Sequence, residues 1–102
     1  SGLNAMLRQA QKMQEDMATL QEELELREYE VSAGGGMVKV VITGSKTIKN
    51  IEISPDIVDP DDIETLSDIL VAGINEAIKK VESTNSEEMA KITSGMNMPG
   101  LF

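Results

Sequence analysis

Cysteine, histidine and tryptophan are all missing from this chain of 102 residues, which holds one Tyr and one Phe. Without a thiol or an imidazole there are no disulfides, thiolate metal sites, thiol nucleophiles or imidazole general bases, and the composition fits a reducing cytoplasm. With so few aromatic rings there is no platform on which bases could stack. No run approaches the roughly 18 apolar residues of a membrane span, and no charged-then-apolar leader is visible. The chain opens Ser1-Gly2 rather than with Met, as expected of a trimmed or replaced start. Remaining carboxylates, lysines and serines form no pairing of base with nucleophile, so neither an enzyme, a cofactor nor a small-molecule substrate is expected.

What is present is aliphatic and acidic. The core has to come from Leu, Ile, Val and seven Met, in one domain covering residues 1–102. The formal net charge is −9. It is unevenly spread: residues 1–14 carry Arg8 and Lys12 and no acid, while 15–30 and 56–78 are strongly acidic. Lys39, Lys46 and Lys49 lie between the acidic blocks, and Lys79, Lys80 and Lys91 follow the second. These cations either solvate helix surfaces or form a patch, and charge alone leaves both readings open.

Leu3, Met6, Ala10, Met13, Met17, Leu20 and Leu24 recur at alternating spacings of three and four, a heptad seam. No Gly or Pro interrupts Leu3 to Val31, so a helix is expected over about 3–27. The seam fits either a facing helix or an ordinary core, and it does not name the partner. From Glu28 the period becomes two. Tyr29, Val31 and Ala33 alternate with polar residues, Gly34-Gly35-Gly36 intervenes, and Val38, Val40 and Ile42 resume. A phosphate-binding glycine loop would need a helix after the glycines; a strand follows, so a hairpin is expected. Gly44-Ser45 is a second turn, and a third strand completes a three-stranded antiparallel meander over about 28–53. Between Ile48 and the pair Ile51 and Ile53 the buried face shifts by one residue, which places a bulge near Lys49-Asn50. The nearly continuous apolar run of the second strand points to burial on both faces, with a second copy of the sheet as the simplest cover.

Asp59-Pro60-Asp61-Asp62 reads as a helix start, with a capping carboxylate, Pro at the first position and acids in the first turn. A calcium loop would need a mid-loop Gly and a distal Glu at other spacings, so no metal is assigned to Asp56, Asp59, Asp61, Asp62 and Glu64. The second helix is expected over about 60–93, whole or broken near Asn85, with Gly95 as C-cap and 95–102 as a tail with apolar anchors. The fold class is thus α+β: a long N-terminal helix, the meander and a long C-terminal helix. At 1.5 Å per residue the helices span roughly 35 and 50 Å. Paired antiparallel, they would bring Arg8 and Lys12 to the outer part of an arm near Lys79, Lys80 and Lys91.

Residues 5–17, AMLRQAQKMQEDM, with Gln21-Glu22-Glu23-Leu24, resemble the opening helix of the YbaB/EbfC family of bacterial nucleoid-associated proteins. Residues 33–40 are similar to that family's glycine hairpin, and Ile51 to Pro55, Ile74 to Lys80 and the ending Gly95-Met96, Met98-Pro99-Gly100 also fit. The resemblance implies a cytoplasmic, nucleoid-associated homodimer with a β core and paired helical arms, binding DNA for gene regulation or nucleoid organisation. It attributes DNA contact to the two helices, here Arg8, Lys12, Lys79 and Lys80. Arms gripping an apolar protein client are the alternative, since Met-rich surfaces adapt to varied partners.

Overall fold

A computed structural model describes residues 1–94 of the chain. Helix α1 runs Gly2–Leu26, strands β1, β2 and β3 run Glu28–Ala33, Val38–Thr43 and Ile48–Ile53, and helix α2 runs Ile63–Ser94. The expected order and class are therefore what the chain adopts. Gly95 and the tail to Phe102, expected to cap α2 and anchor the end, lie outside the described residues.

The sheet is antiparallel in the order β1-β2-β3. Ala33 pairs with Val38 across the glycine hairpin, where Gly34, Gly35 and Gly36 all have positive φ (61°, 65° and 87°). Three such residues in succession would strain any side chain with a Cβ, which is why the turn is all glycine. Between β2 and β3 the register slips: Val41 pairs with Asn50 but Ile42 with Ile48, leaving Lys49 as the extra residue. The bulge is where the phase shift of the isoleucines placed it.

Val38, Val40 and Ile42 of β2, with Ala77 and Val81 of α2, are fully buried and form the core. These residues belong to one face of β2. The other face carries exposed Lys39 and part-buried Val41 and Thr43, flanked in register by Glu30, Ser32, Asn50 and Glu52. Burial of β2 on both faces was the expectation, the second face under another copy of the sheet; within a single chain α2 covers one of them. Val41 is the one apolar residue of that outer face, so the run Val38, Val40, Val41, Ile42 is two faces read as one.

Helix α2 lies over β1 and β2. Ile69 sits above Gly34, and a Cβ added to Gly73 would lie 3.3 Å from both Ala33 and Val40. Residues 71, 74 and 78 fall on a different flank of the helix at 100° per residue. The Lys46–Glu82 ion pair (3.0 Å) ties the β2–β3 turn to that same flank. Cover of the apolar residues is incomplete: Ile53 of β3 is 39% exposed, and Val58, Ile63 and Val71 are exposed as well.

The start of α2 departs from expectation. Pro55–Ile57 forms a 3₁₀ turn, and Asp59 then closes a turn of its own, its Oδ1 accepting from the Asp61 N–H at 2.9 Å. Pro60 therefore occupies that turn rather than the first helical position. The cap is Asp62, whose carboxylate accepts from the Thr65 N–H (3.3 Å) and hydroxyl (2.7 Å). From there α2 continues through Asn85 without a break.

Candidate nucleic-acid interface

Helix α1 is an arm. It leaves the sheet at the end where Glu28 pairs with Thr43, and the molecule measures 73 × 24 × 15 Å. That length exceeds the roughly 48 Å of α2 because α1 projects beyond it, antiparallel to its last turns. The contact between the helices lies at the root. Arg27 reaches Glu88 at 3.7 Å, and Leu24 is buried. Outward along the seam, Leu20, Met17, Met13 and Ala10 are half-buried, and then Met6 and Leu3 are 47% and 66% exposed. The seam is real, and its outer part has no cover from another described helix.

This geometry separates the expected cations into two groups. Arg8 and Lys12 lie on the outer half of the arm. Lys79 and Lys80 lie on the part of α2 that packs on the sheet, adjacent to buried Ala77 and Val81. Measured along the helices from the Arg27–Glu88 contact, Arg8 is about 28 Å one way and Lys80 about 12 Å the other. Within one chain the four do not form a single patch near Lys91, as antiparallel pairing had implied. The second helix ends its described course too soon to run alongside the outer arm.

The cations also differ in how far they are neutralised. Lys12 pairs with Asp16 (3.0 Å), Arg27 and Lys91 share Glu88, and Lys46 pairs with Glu82. Among the described residues Arg8, Lys39, Lys49, Lys79 and Lys80 have no ion-pair partner. Sequence reasoning passed over Lys39 and Lys49. The signals were there: Lys39 alternates outward on β2, and Lys49 is the bulged residue of β3. The acidic blocks flank the sheet, one along the inner half of α1 and into β1, the other from Asp56 to Glu76 at the opposite end. The outer arm, residues 1–14, carries no acid, and neither does the stretch 31–51 that holds Lys39, Lys46 and Lys49. Among the described residues no cluster of three or more His, Cys, Asp or Glu is arranged to hold a metal ion, and no helix is long and apolar enough to cross a membrane.

Residues 1–96 match the YbaB/EbfC DNA-binding family. The chain belongs to that family. YbaB/EbfC relatives match along nearly the whole sequence. A nucleoid-associated protein of Thermoanaerobacter pseudethanolicus is 52% identical over 100 residues, covering 98% of this chain and 90% of the relative. One from Acetivibrio thermocellus is 52% identical over 101 residues, covering 98% and 89%. Among solved structures, an uncharacterized protein from Helicobacter pylori superposes with a TM-score of 0.63 at 23% identity, covering 76% of this chain and 90% of that one. That likeness concerns the fold, and it agrees with the helix, meander and helix described above. The family is described by DNA binding rather than by a reaction.

Proposed function

We propose that this YbaB/EbfC protein is a cytoplasmic, nucleoid-associated homodimer that binds duplex DNA largely through its backbone. The observation that carries the reading is the projecting arm with unpaired Arg8 on its outer half, in a chain of a DNA-binding family. A single arm that is basic only at its outer end, on a chain of net charge −9, holds DNA weakly. Two arms in one dimer raise the effective concentration of the second contact, which supplies affinity that one arm lacks. Lys79 and Lys80 would meet the same duplex only where it also approaches the sheet end, or contact it from the other protomer. Sequence readout is sparse, because Arg8 is the single Arg of the outer arm and bidentate guanine contacts need Arg or a comparable fork. Gene regulation and nucleoid organisation are both open to such a binder.

What supports the homodimer is the exposed apolar surface. Ile53, Val58, Ile63 and Val71 are each more than a third exposed, and Ile48 and Ile51, in the same strand as Ile53, are only part-buried against the core. A second copy seated there would complete the layer that α2 leaves unfinished, with a two-fold axis close to β3. The polar outer face of the sheet is the weaker candidate.

Fluorescence anisotropy of a labelled duplex across a salt series tests the DNA reading. If all four cations of both protomers neutralise phosphates, the slope of log K against log salt is about −7, and fewer contacts make it shallower. Replacing Arg8, Lys12, Lys79 and Lys80 by Ala should flatten it; unchanged binding would sink the residue assignment. A second reading has an observation of its own, the exposed Leu3, Met6 and Leu7 of the arm. A client gripped there would be protected from aggregation by protein that binds no DNA, and the loss of both Met6 and Leu7 would abolish the protection.

A further inference from the structure

The arm is held at one place. Three elements meet there: the last turn of α1, the turn between β2 and β3, and the stretch of α2 around Asn85. At their centre is Gly44, which is buried. Its N–H donates to the Arg27 carbonyl at 2.9 Å, taking the first backbone group after the helix. Its own carbonyl accepts from Asn85 Nδ2 at 3.2 Å. A side chain at this position is impossible without movement, because a Cβ would overlap the Leu24 carbonyl. One glycine thus touches both helices, through its backbone alone.

The turn around it is stiff. Lys46 adopts a left-handed φ of 65°, its N–H donates to the Thr43 carbonyl (2.9 Å), and the Thr43 N–H donates to the Thr47 carbonyl (2.9 Å). Thr43 and Ser45 hydroxyls lie 2.8 Å apart, and the Thr47 N–H donates to Thr43 Oγ1. Lys46–Glu82 and Arg27–Glu88 then brace the turn and the helix end against α2 from two sides. Beside them an open cleft of about 510 Å³, lined by Gln21, Glu25, Lys46 and Asn85, leaves the root wet on one side. Leu24 and Met89 also line this corner, and the hydrogen bonds add a fixed direction to their packing.

We infer that Gly44 and Asn85 are positioning residues for nucleic-acid binding: they form a clamp that sets the angle of the α1 arm to the sheet, and touch no DNA themselves. The inference rests on the arm being the DNA-binding element. Leverage makes the clamp matter. Arg8 lies about 28 Å beyond Arg27, so a tilt of about 10° at the root displaces it by about 5 Å. A phosphate contact made within about 3 Å does not survive that displacement. Asn85 is also the residue that keeps α2 polar where its apolar stripe would otherwise continue, and its Oδ1 is buried without a partner. An amide retained at that cost has a use, and the Gly44 carbonyl is its recipient.

The absence of Cys allows clean labelling. Spin labels on Asn4→Cys and Ser67→Cys, in labelled protein diluted with unlabelled protein, report the arm's angle as a distance distribution within one chain. The distribution is expected to be narrow. Asn85→Ala and the isosteric Asn85→Asp, which both lose the donor, should broaden or shift it by about 5 Å and weaken DNA binding several-fold, while Asn85→Gln, which keeps a donor, restores part of both. Gly44→Ala should displace the arm further; if it fails to fold, the Asn85 variants still decide. An unchanged distribution in Asn85→Ala overturns the clamp. A broadened distribution with unchanged affinity overturns its role in DNA binding. Should the parent protein bind no DNA at any salt, the DNA reading itself falls, and the distances continue to test the clamp separately.

Discussion

The two long helices carry the same kind of apolar stripe and meet opposite fates. In α2 the stripe reaches a sheet, and Ala77 and Val81 lose all contact with solvent. In α1 it reaches anything comparable only at Leu24, and exposure rises steadily toward Leu3. Periodicity therefore specifies a helix with one apolar side, and says nothing about whether that side is covered. Under the proposed function, α2 is the structural helix and α1 the one that meets DNA. A segment that must meet a partner is drawn from the less stabilised part of a molecule.

The contrast can be broken most severely in the core. Ile42→Ala should cost about 2–5 kcal/mol of stability, whereas Leu3→Ala on the outer arm should stay within roughly 0.5 kcal/mol. Urea titration at fixed protein concentration checks both, since a dimer's stability depends on concentration. Leu24→Ala sits at the boundary of the two regimes. It should cost about 2–3 kcal/mol, at the lower end for a buried leucine because the adjacent cleft lets the site relax, and should separate loss of the arm's amide protection from loss of the sheet's. Val71→Asp, on an exposed flank of α2, should leave the monomer's core intact and weaken self-association roughly 100-fold, about 2.7 kcal/mol, read by light-scattering mass measurement over a dilution series. The smallest effect compares the caps. Asp62→Ala removes the carboxylate that receives Thr65 and should lower global stability by about 1 kcal/mol, measured by thermal unfolding. Ser1→Ala removes an equivalent bond from Asn4 and should change only fraying of the arm, seen by amide exchange but not in the midpoint.

Much of this was legible beforehand, for local reasons. The glycine run called for a hairpin because no other residue tolerates three positive φ values in succession. The bulge at Lys49 was written into the spacing of Ile48, Ile51 and Ile53. The cap of α2 was misplaced by three residues, since Asp59-Pro60 satisfies the rules of a turn as well as those of a helix start, and only the preceding 3₁₀ turn decides between them. In the apolar run of β2, Val38, Val40 and Ile42 face α2 and Val41 faces outward, a division that alternation along a strand dictates. Of the candidate interface, the identity of the cations was visible and their grouping was not. Which of them are neutralised depends on pairs such as Lys46–Glu82, 36 positions apart in sequence, that no local pattern reveals.

By itself the sequence determined the elements, their order, the hairpin and the bulge, because each follows from dihedral preference and periodicity within a few residues, and its likeness to known sequences determined the family. Only the tertiary structure decided that α1 projects as an arm, that Arg8 and Lys80 lie far apart, and that apolar Ile53 and Val71 stay exposed. Those outcomes turn on where one helix crosses a sheet and on a buried glycine between three elements. They are contacts between distant residues, and a heptad seam is equally satisfied by any of the partners it could meet.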